Sequence, residues 1–192
     1  MSKVKIKVND CFSAQVQKKA ESEIDKMLFG SIWDWEHWRD GEIIDKWRER
    51  NICTDEGLES ILGQAFSDVT QITTHYVLIY NTNTTPLAGM TYASPQFTET
   101  THYTEGVRQT WQEAGVSAKS ITNSANKASF TMNTAETIYG GALVGGGTTP
   151  DTKDDQAGGG VLFNVSAFSG GSKAVVNTDV LKVTITLTIS DA

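Results

Sequence analysis

Mainly β, built as an antiparallel β-sandwich of jelly-roll type with one packed helix and an N-terminal α-helical arm: three observations in the sequence predict this fold class. Near the C-terminus, Leu181, Val183, Ile185, Leu187 and Ile189 alternate with Lys182, Thr184, Thr186 and Thr188. Strand side chains point to opposite faces with period two, so one face of this strand is to be buried and the other wet. Threonine is distributed unevenly: of 24, only Thr54 precedes Phe66, whereas residues 1–66 hold 23 of the 39 Asp, Glu, Lys and Arg residues. A charged, helix-capable front therefore precedes a Thr-, Gly- and Asn-rich β body. Finally, Asp40-Gly41 separates two aromatic and aliphatic runs that hold four of the five tryptophans, Trp33, Trp35, Trp38 and Trp47. That dipeptide is a strong short-range hairpin signal.

Taken in order, residues 3–8 (KVKIKV) alternate and predict an edge strand whose lysines discourage stray pairing. Ser13 is placed to cap a helix running to Phe29, with Gly30 as its stop. Its apolar positions Val16, Ala20, Ile24, Met27 and Leu28 form a narrow stripe among charged residues, which suits docking on a neighbour more than a place in a core. Residues 1–30 are accordingly expected to be an attachment or oligomerisation arm, hinged at Gly30-Ser31, and residues 31–192 the body. The Trp-rich hairpin spans 32–49. A helix over 54–66 follows, with Thr54 as N-cap, Asp55 and Glu56 at the positive end of its dipole, and Leu58, Ile61, Leu62, Ala65 and Phe66 as one apolar face.

Residues 73–80 (TTHYVLIY) are apolar on both faces and predict a central strand. Residues 81–103 make a long, Thr-rich connection expected to lie on the surface. Strands are expected at 108–115, 128–132, 137–144, where Gly140-Gly141 marks a bulge or close backbone approach, and 161–168. Between the last two lies a glycine-flanked polar loop, residues 145–160, whose glycines suggest flexibility.

Composition excludes several classes. A net charge of −7 and a pI near 4.9 lack the basic footprint of a nucleic-acid partner. No apolar run reads as a signal peptide or a membrane span, and Cys11 and Cys53, without metal spacing, read as reduced thiols. The two GGG clusters lack the Gly-Lys-Ser/Thr that grips phosphate. Asp151, Asp154 and Asp155 lack the frame of a calcium loop, and His37, His75 and His102 lack zinc spacing. No catalytic residue, cofactor or metal is therefore expected. Trp33, Trp35 and Trp47 are expected to pack the hairpin onto the body, and Trp38, beside the turn, to be exposed for an interface or a sugar.

Several segments together carry a resemblance: WRERN (47–51), TDEGLESIL (54–62), VLIY (77–80), TYASPQFTE (91–99), SITNSANKASFTMN (120–133), IYGGALVGGG (138–147) and AFSGGSKAVVNTDVLKVTITLT (167–188). The chain from Ile43 onward resembles a group of small virion-associated proteins of tailed bacteriophages, and Ser120–Phe130 is the most specific part. Residues 1–30 lie outside it, and it carries no active-site residues. The resemblance implies a structural protein of the virion, first of all a capsid decoration or cement protein bound to the major capsid protein and to copies of itself, as a homotrimer or another symmetric oligomer. A tail or head-to-tail component or receptor-binding module is the alternative, and a glycan-degrading enzyme a remote one. The interface candidates are Val16, Ala20, Ile24, Met27, Leu28 and Trp38.

Overall fold

The computed structural model describes residues 27–191, and the side chains of residues 28–190. Strand β1 (Met27–Arg39) turns at Asp40-Gly41 into β2 (Glu42–Arg50). Both turn residues have positive φ, 51° and 82°, the backbone a two-residue hairpin needs to match the twist of its strands. The longest partner of β1 comes from the other end of the chain: β12 (Val180–Asp191) pairs with it antiparallel from Met27↔Asp191 to Trp38↔Val180. Two short strands, β6 (Ser120–Thr122) and β7 (Ala128–Thr131), lie end to end along the far side of β12. This is the first sheet.

The second sheet has the order β3 (Ile52–Cys53), β10 (Val161–Ala167), β9 (Gly140–Gly145), β4 (His75–Tyr80), β5 (Gln109–Thr110), all antiparallel. A small ribbon pairs β8 (Glu136–Ile138) with β11 (Lys173–Val175). The inward side chains of both sheets mix in one core: Trp33, Trp35, Phe130, Leu181, Val183 and Ile185 from the first, Val77, Ile79, Leu143 and Phe163 from the second. Trp35 and Trp47, opposite each other in register, stack at 5.9 Å with rings 2° from parallel, and Phe168 meets both edge-on. Trp33 and Trp35 of the hairpin thus lie in the core, with half-buried Trp47 packed against them. The alternation in β12 holds for Leu181, Val183 and Ile185, which are fully buried; Leu187 is half-buried and Ile189 exposed, because the core ends before the strand does.

The outer face of the second sheet is also covered. A second cluster sets Leu78, Tyr80, Ala142, Val144, Leu162 and Val165 against Met90, Tyr92 and Phe97 of the connection after β4. That connection was expected to lie on the surface; its apolar residues are buried because the central strands carry hydrophobic side chains on both faces. Close approach also explains Gly140: a Cβ there would collide with the Ser166 carbonyl and the Tyr80 hydroxyl. The strand expected at 108–115 shrinks to Gln109–Thr110, since Arg108 is turned into the interior.

Two further expectations are corrected. The helix predicted to reach Phe29, with a hinge at Gly30-Ser31, gives way there to β1: Met27, Leu28, Phe29 and Gly30 are paired strand residues, supplying partners for the last residues of β12. The body therefore begins before residue 31. The edge strand over 3–8 and most of the arm helix, with Val16, Ala20 and Ile24, lie outside the described residues. The second correction concerns α1 (Asp55–Phe66), capped by Thr54 as expected, whose hydroxyl accepts from Gly57 N–H at 3.0 Å. Of its apolar stripe only Ile61 packs against the core. Gly57 rests against the Phe163 backbone, and one Glu56 carboxylate oxygen accepts from Leu162 N–H (2.7 Å) and Tyr92 N–H (2.8 Å). Pinned by this polar first turn, the helix presents Gly57 and Ile61 inward and leaves Leu58, Leu62 and Phe66 outward, the last 85% exposed.

Candidate functional site

The two sheets differ on their outer sides. The second is roofed by residues 87–97, whereas no described element lies over the first. Its open face follows from strand alternation. Where Phe29, Ser31, Trp33, Trp35 and His37 of β1 point in, Leu28, Gly30, Ile32, Asp34, Glu36 and Trp38 point out. The register sets Arg48 opposite Asp34 and Lys46 opposite Glu36 on β2, and Lys182, Thr184, Thr186 and Thr188 opposite Glu36, Asp34, Ile32 and Gly30 on β12.

The side chains form a charged and hydroxylated ladder. Arg48 grips Asp34 with two bonds, Nε to Oδ1 at 2.7 Å and Nη2 to Oδ2 at 3.1 Å. Glu36 accepts from Lys127 Nζ at 2.8 Å and from Trp38 Nε1–H at 3.1 Å, while Lys46 stands 3.5 Å away. The hydrogen bond from Lys127 holds its carboxyl below the usual carboxylate range, against the opposing effect of partial burial. Lys182 Nζ lies 4.3 Å from the Trp38 ring centroid. The Thr186 hydroxyl donates to that of Thr122 at 3.0 Å. Such surface pairs contribute roughly 0–1 kcal/mol each, so their main effect is to fix side-chain positions across the face.

The interface candidates fare unequally on this face. Leu28 is exposed on it, as part of β1 and not of a helix. Trp38 also lies on it but is half-buried, its ring partly covered by Lys182. Met27 is the first described residue of β1, at the end of the same sheet. The structure thus brings Leu28 and Trp38 onto one surface, at opposite ends of one strand.

The 145–160 loop, expected to be flexible, is pinned. Buried Arg108 donates to the carbonyls of Pro150 (3.0 Å) and Asp155 (2.9 Å), to the Tyr92 hydroxyl (2.9 Å) and to the Glu99 carboxylate, with Nη2 2.6 Å from Oε2. Glu99 in turn accepts from Asp154 N–H. Asp155 spends its oxygens on Tyr92, Thr149, Ala157 N–H and Gly158 N–H, which leaves it committed to the loop. Among the described residues no cluster of His, Cys, Asp and Glu suits a metal ion. His37 is buried 2.7 Å from Asp179, which also receives two bonds from Arg39. His102 is exposed and 3.2 Å from Glu136; His75 has an edge-on ring contact with Phe163, and burial lowers its pKa.

Sequence reading missed both buried acidic centres. A signal for one was present: Arg108 is the sole arginine after Arg50. Among the described residues no helix is long and apolar enough to cross a membrane. No protein-family model matches the chain, and no curated protein matches it.

Proposed function

We propose that the chain is a structural protein of a bacteriophage virion, most specifically a capsid decoration protein, and that the open face of the first sheet is its contact with the particle. The fold is read in full as a β-sandwich of jelly-roll kind. The observation that carries the reading is an asymmetry among the described elements: apolar residues of a long connection roof the second sheet, while the first offers a ladder of Asp34, Glu36, Lys46, Arg48, Lys182 and threonines. Twelve paired positions along β1 and a width of three to four strands give roughly 600–800 Å², close to one partner's share of a standard protein interface. Resemblance to phage virion proteins supplies the partner class: the major capsid protein, with symmetric self-association giving multivalent grip.

The test is copy number and binding. Quantitative mass spectrometry of particles is expected to find hundreds of copies, and Thr188→Arg or Asp34→Ala is expected to weaken rebinding to stripped capsids at least tenfold. A dozen copies or fewer would move the protein to the tail. One observation favours a receptor-binding module there: Trp38, flanked by Lys182 and by Asp40 and Gly41 of the turn, borders a shallow hollow of about 260 Å³, a shape suited to stacking a host sugar.

A further inference from the structure

At the end of the sheets where β1 begins, the two inward faces part around a groove of about 320 Å³. Phe29 and Leu187 line one wall and Ile61 and Ala65 of α1 the other. Asn164 and Trp111 also line it. Asn164 is fully buried, yet neither its amide nitrogen nor its amide oxygen has a hydrogen-bond partner; the indole N–H of Trp111, itself 4% exposed, has none either. Leaving such groups unpaired in the interior is costly. Two donors among apolar walls, the Asn164 amide N–H and the Trp111 indole N–H, complement the unpaired carbonyls of a helix's last turn and the apolar side chains beside them.

We propose that this groove is the docking site of the chain's own residues 1–26. The chain enters β1 at Met27, and Phe29, two residues on, lines the groove. Ile24 lies three residues before Met27, a reach of about 10 Å at full extension. Val16, Ala20 and Ile24 recur at intervals of four, so one helical face could present all three, with Lys18, Lys19, Glu21, Glu23 and Asp25 left for water. None of the groove's lining residues is an Asp, Glu, Lys or Arg, which suits the apolar stripe and not the charged remainder. The tether favours this occupant over a separate molecule, because a covalently linked segment acts at an effective concentration of roughly millimolar. The proposal is independent of the assignment to a virion, and it gives residues 1–26 a seat on their own body where their sequence pattern suggested outward attachment.

Disulfide trapping in the full chain tests it. With Cys11 and Cys53 replaced by serine, Ala65→Cys is paired with Ile24→Cys or Ala20→Cys and the protein is oxidised at micromolar concentration. An intrachain disulfide in at least one pairing, seen as a faster-migrating monomer on a non-reducing gel, is expected. A disulfide-linked dimer would assign the groove to a second copy and overturn the proposal, as would free thiols in both pairings. A second measurement keeps the native cysteines. In full-length Ile24→Asp, the Trp111 indole N–H resonance is expected to shift and its hydrogen exchange to quicken at least tenfold. An unchanged Trp111 signal in both Ile24→Asp and Ala20→Asp overturns docking. So does a co-purifying small molecule, found by native mass spectrometry, whose removal alone shifts that signal.

Discussion

Arg108 and Glu99 meet in the interior with Nη2 2.6 Å from Oε2, their side chains 2% and 3% exposed. They lie nine residues apart on a connection without regular structure, yet they hold a third segment, since the guanidinium also reaches the carbonyls of Pro150 and Asp155. Burial holds the Glu99 carboxyl above its ordinary range, and the bonds from Arg108 oppose that rise without cancelling it. Removing one partner strands the other. Arg108→Met is expected to cost about 3–5 kcal/mol in urea unfolding, and Arg108→Met/Glu99→Leu distinctly less. A double variant as unstable as the single one would show that the tie to the 145–160 loop, and not the stranded charge, dominates.

Asp179 predicts a pH dependence. Its side chain is fully buried and accepts two bonds from Arg39, one from Val176 N–H and a 2.7 Å contact from His37 Nε2. The Arg39 bonds, foremost, hold its carboxyl well below the usual carboxylate range. An acid depressed in the folded state contributes stability above its unfolded value, near 3.9, and that contribution is lost as pH falls toward the folded value. The urea midpoint is therefore expected to begin dropping near about pH 5 and to go on dropping below about pH 3, and Asp179→Asn to flatten that drop while lowering stability at pH 7.

Two substitutions on α1 separate its inner side from its outer one. A Cβ on Gly57 would stand 2.5 Å from the Phe163 carbonyl oxygen, a backbone atom that cannot swing away. Gly57→Ala is therefore expected to destabilise by about 1–3 kcal/mol, although alanine is the better helix former by about 1 kcal/mol. Phe66→Ser, on the exposed side, is expected to change stability by no more than about 0.5 kcal/mol. Equal effects at the two positions would mean that the helix is rotated from the orientation described.

The open sheet face should separate folding from binding. Asp34→Ala removes an exposed pair with Arg48 and is expected to cost less than about 1 kcal/mol by thermal unfolding. On the proposed function the same variant loses affinity for capsids. A loss of binding that merely tracks a loss of stability would argue against the face as a contact.

What was legible in the sequence was local. Asp40-Gly41 fixed the hairpin through φ, Thr54 fixed a helix start through its hydroxyl, and the alternation in β12 marked its buried side. The orientation of α1 was not legible, because its apolar spacing is outvoted by Gly57 and by a Glu56 carboxylate bound to backbone groups remote in sequence. Nor was the roof over the second sheet, where single apolar residues, Met90, Tyr92 and Phe97, sit in a Thr-rich stretch without periodicity. Of the candidate site, Trp38 and Leu28 were named, but the ladder joining them depends on a register between β1 and β12 that no local pattern encodes.

That same register has a consequence for how the protein is made. β1, residues 27–39, finds its longest partner in residues 180–191, so the first sheet cannot be completed until almost all of the described chain has left the ribosome. Until then Trp33, Trp35 and Trp47 must wait on a two-stranded ribbon, a structure marginal in water on its own. Contacts this distant in sequence close slowly, and an unpaired, aromatic strand edge invites pairing with other chains meanwhile. Synthesis, more than the finished molecule, is where this architecture is exposed to aggregation, and chaperone dependence during translation is the trait it should show.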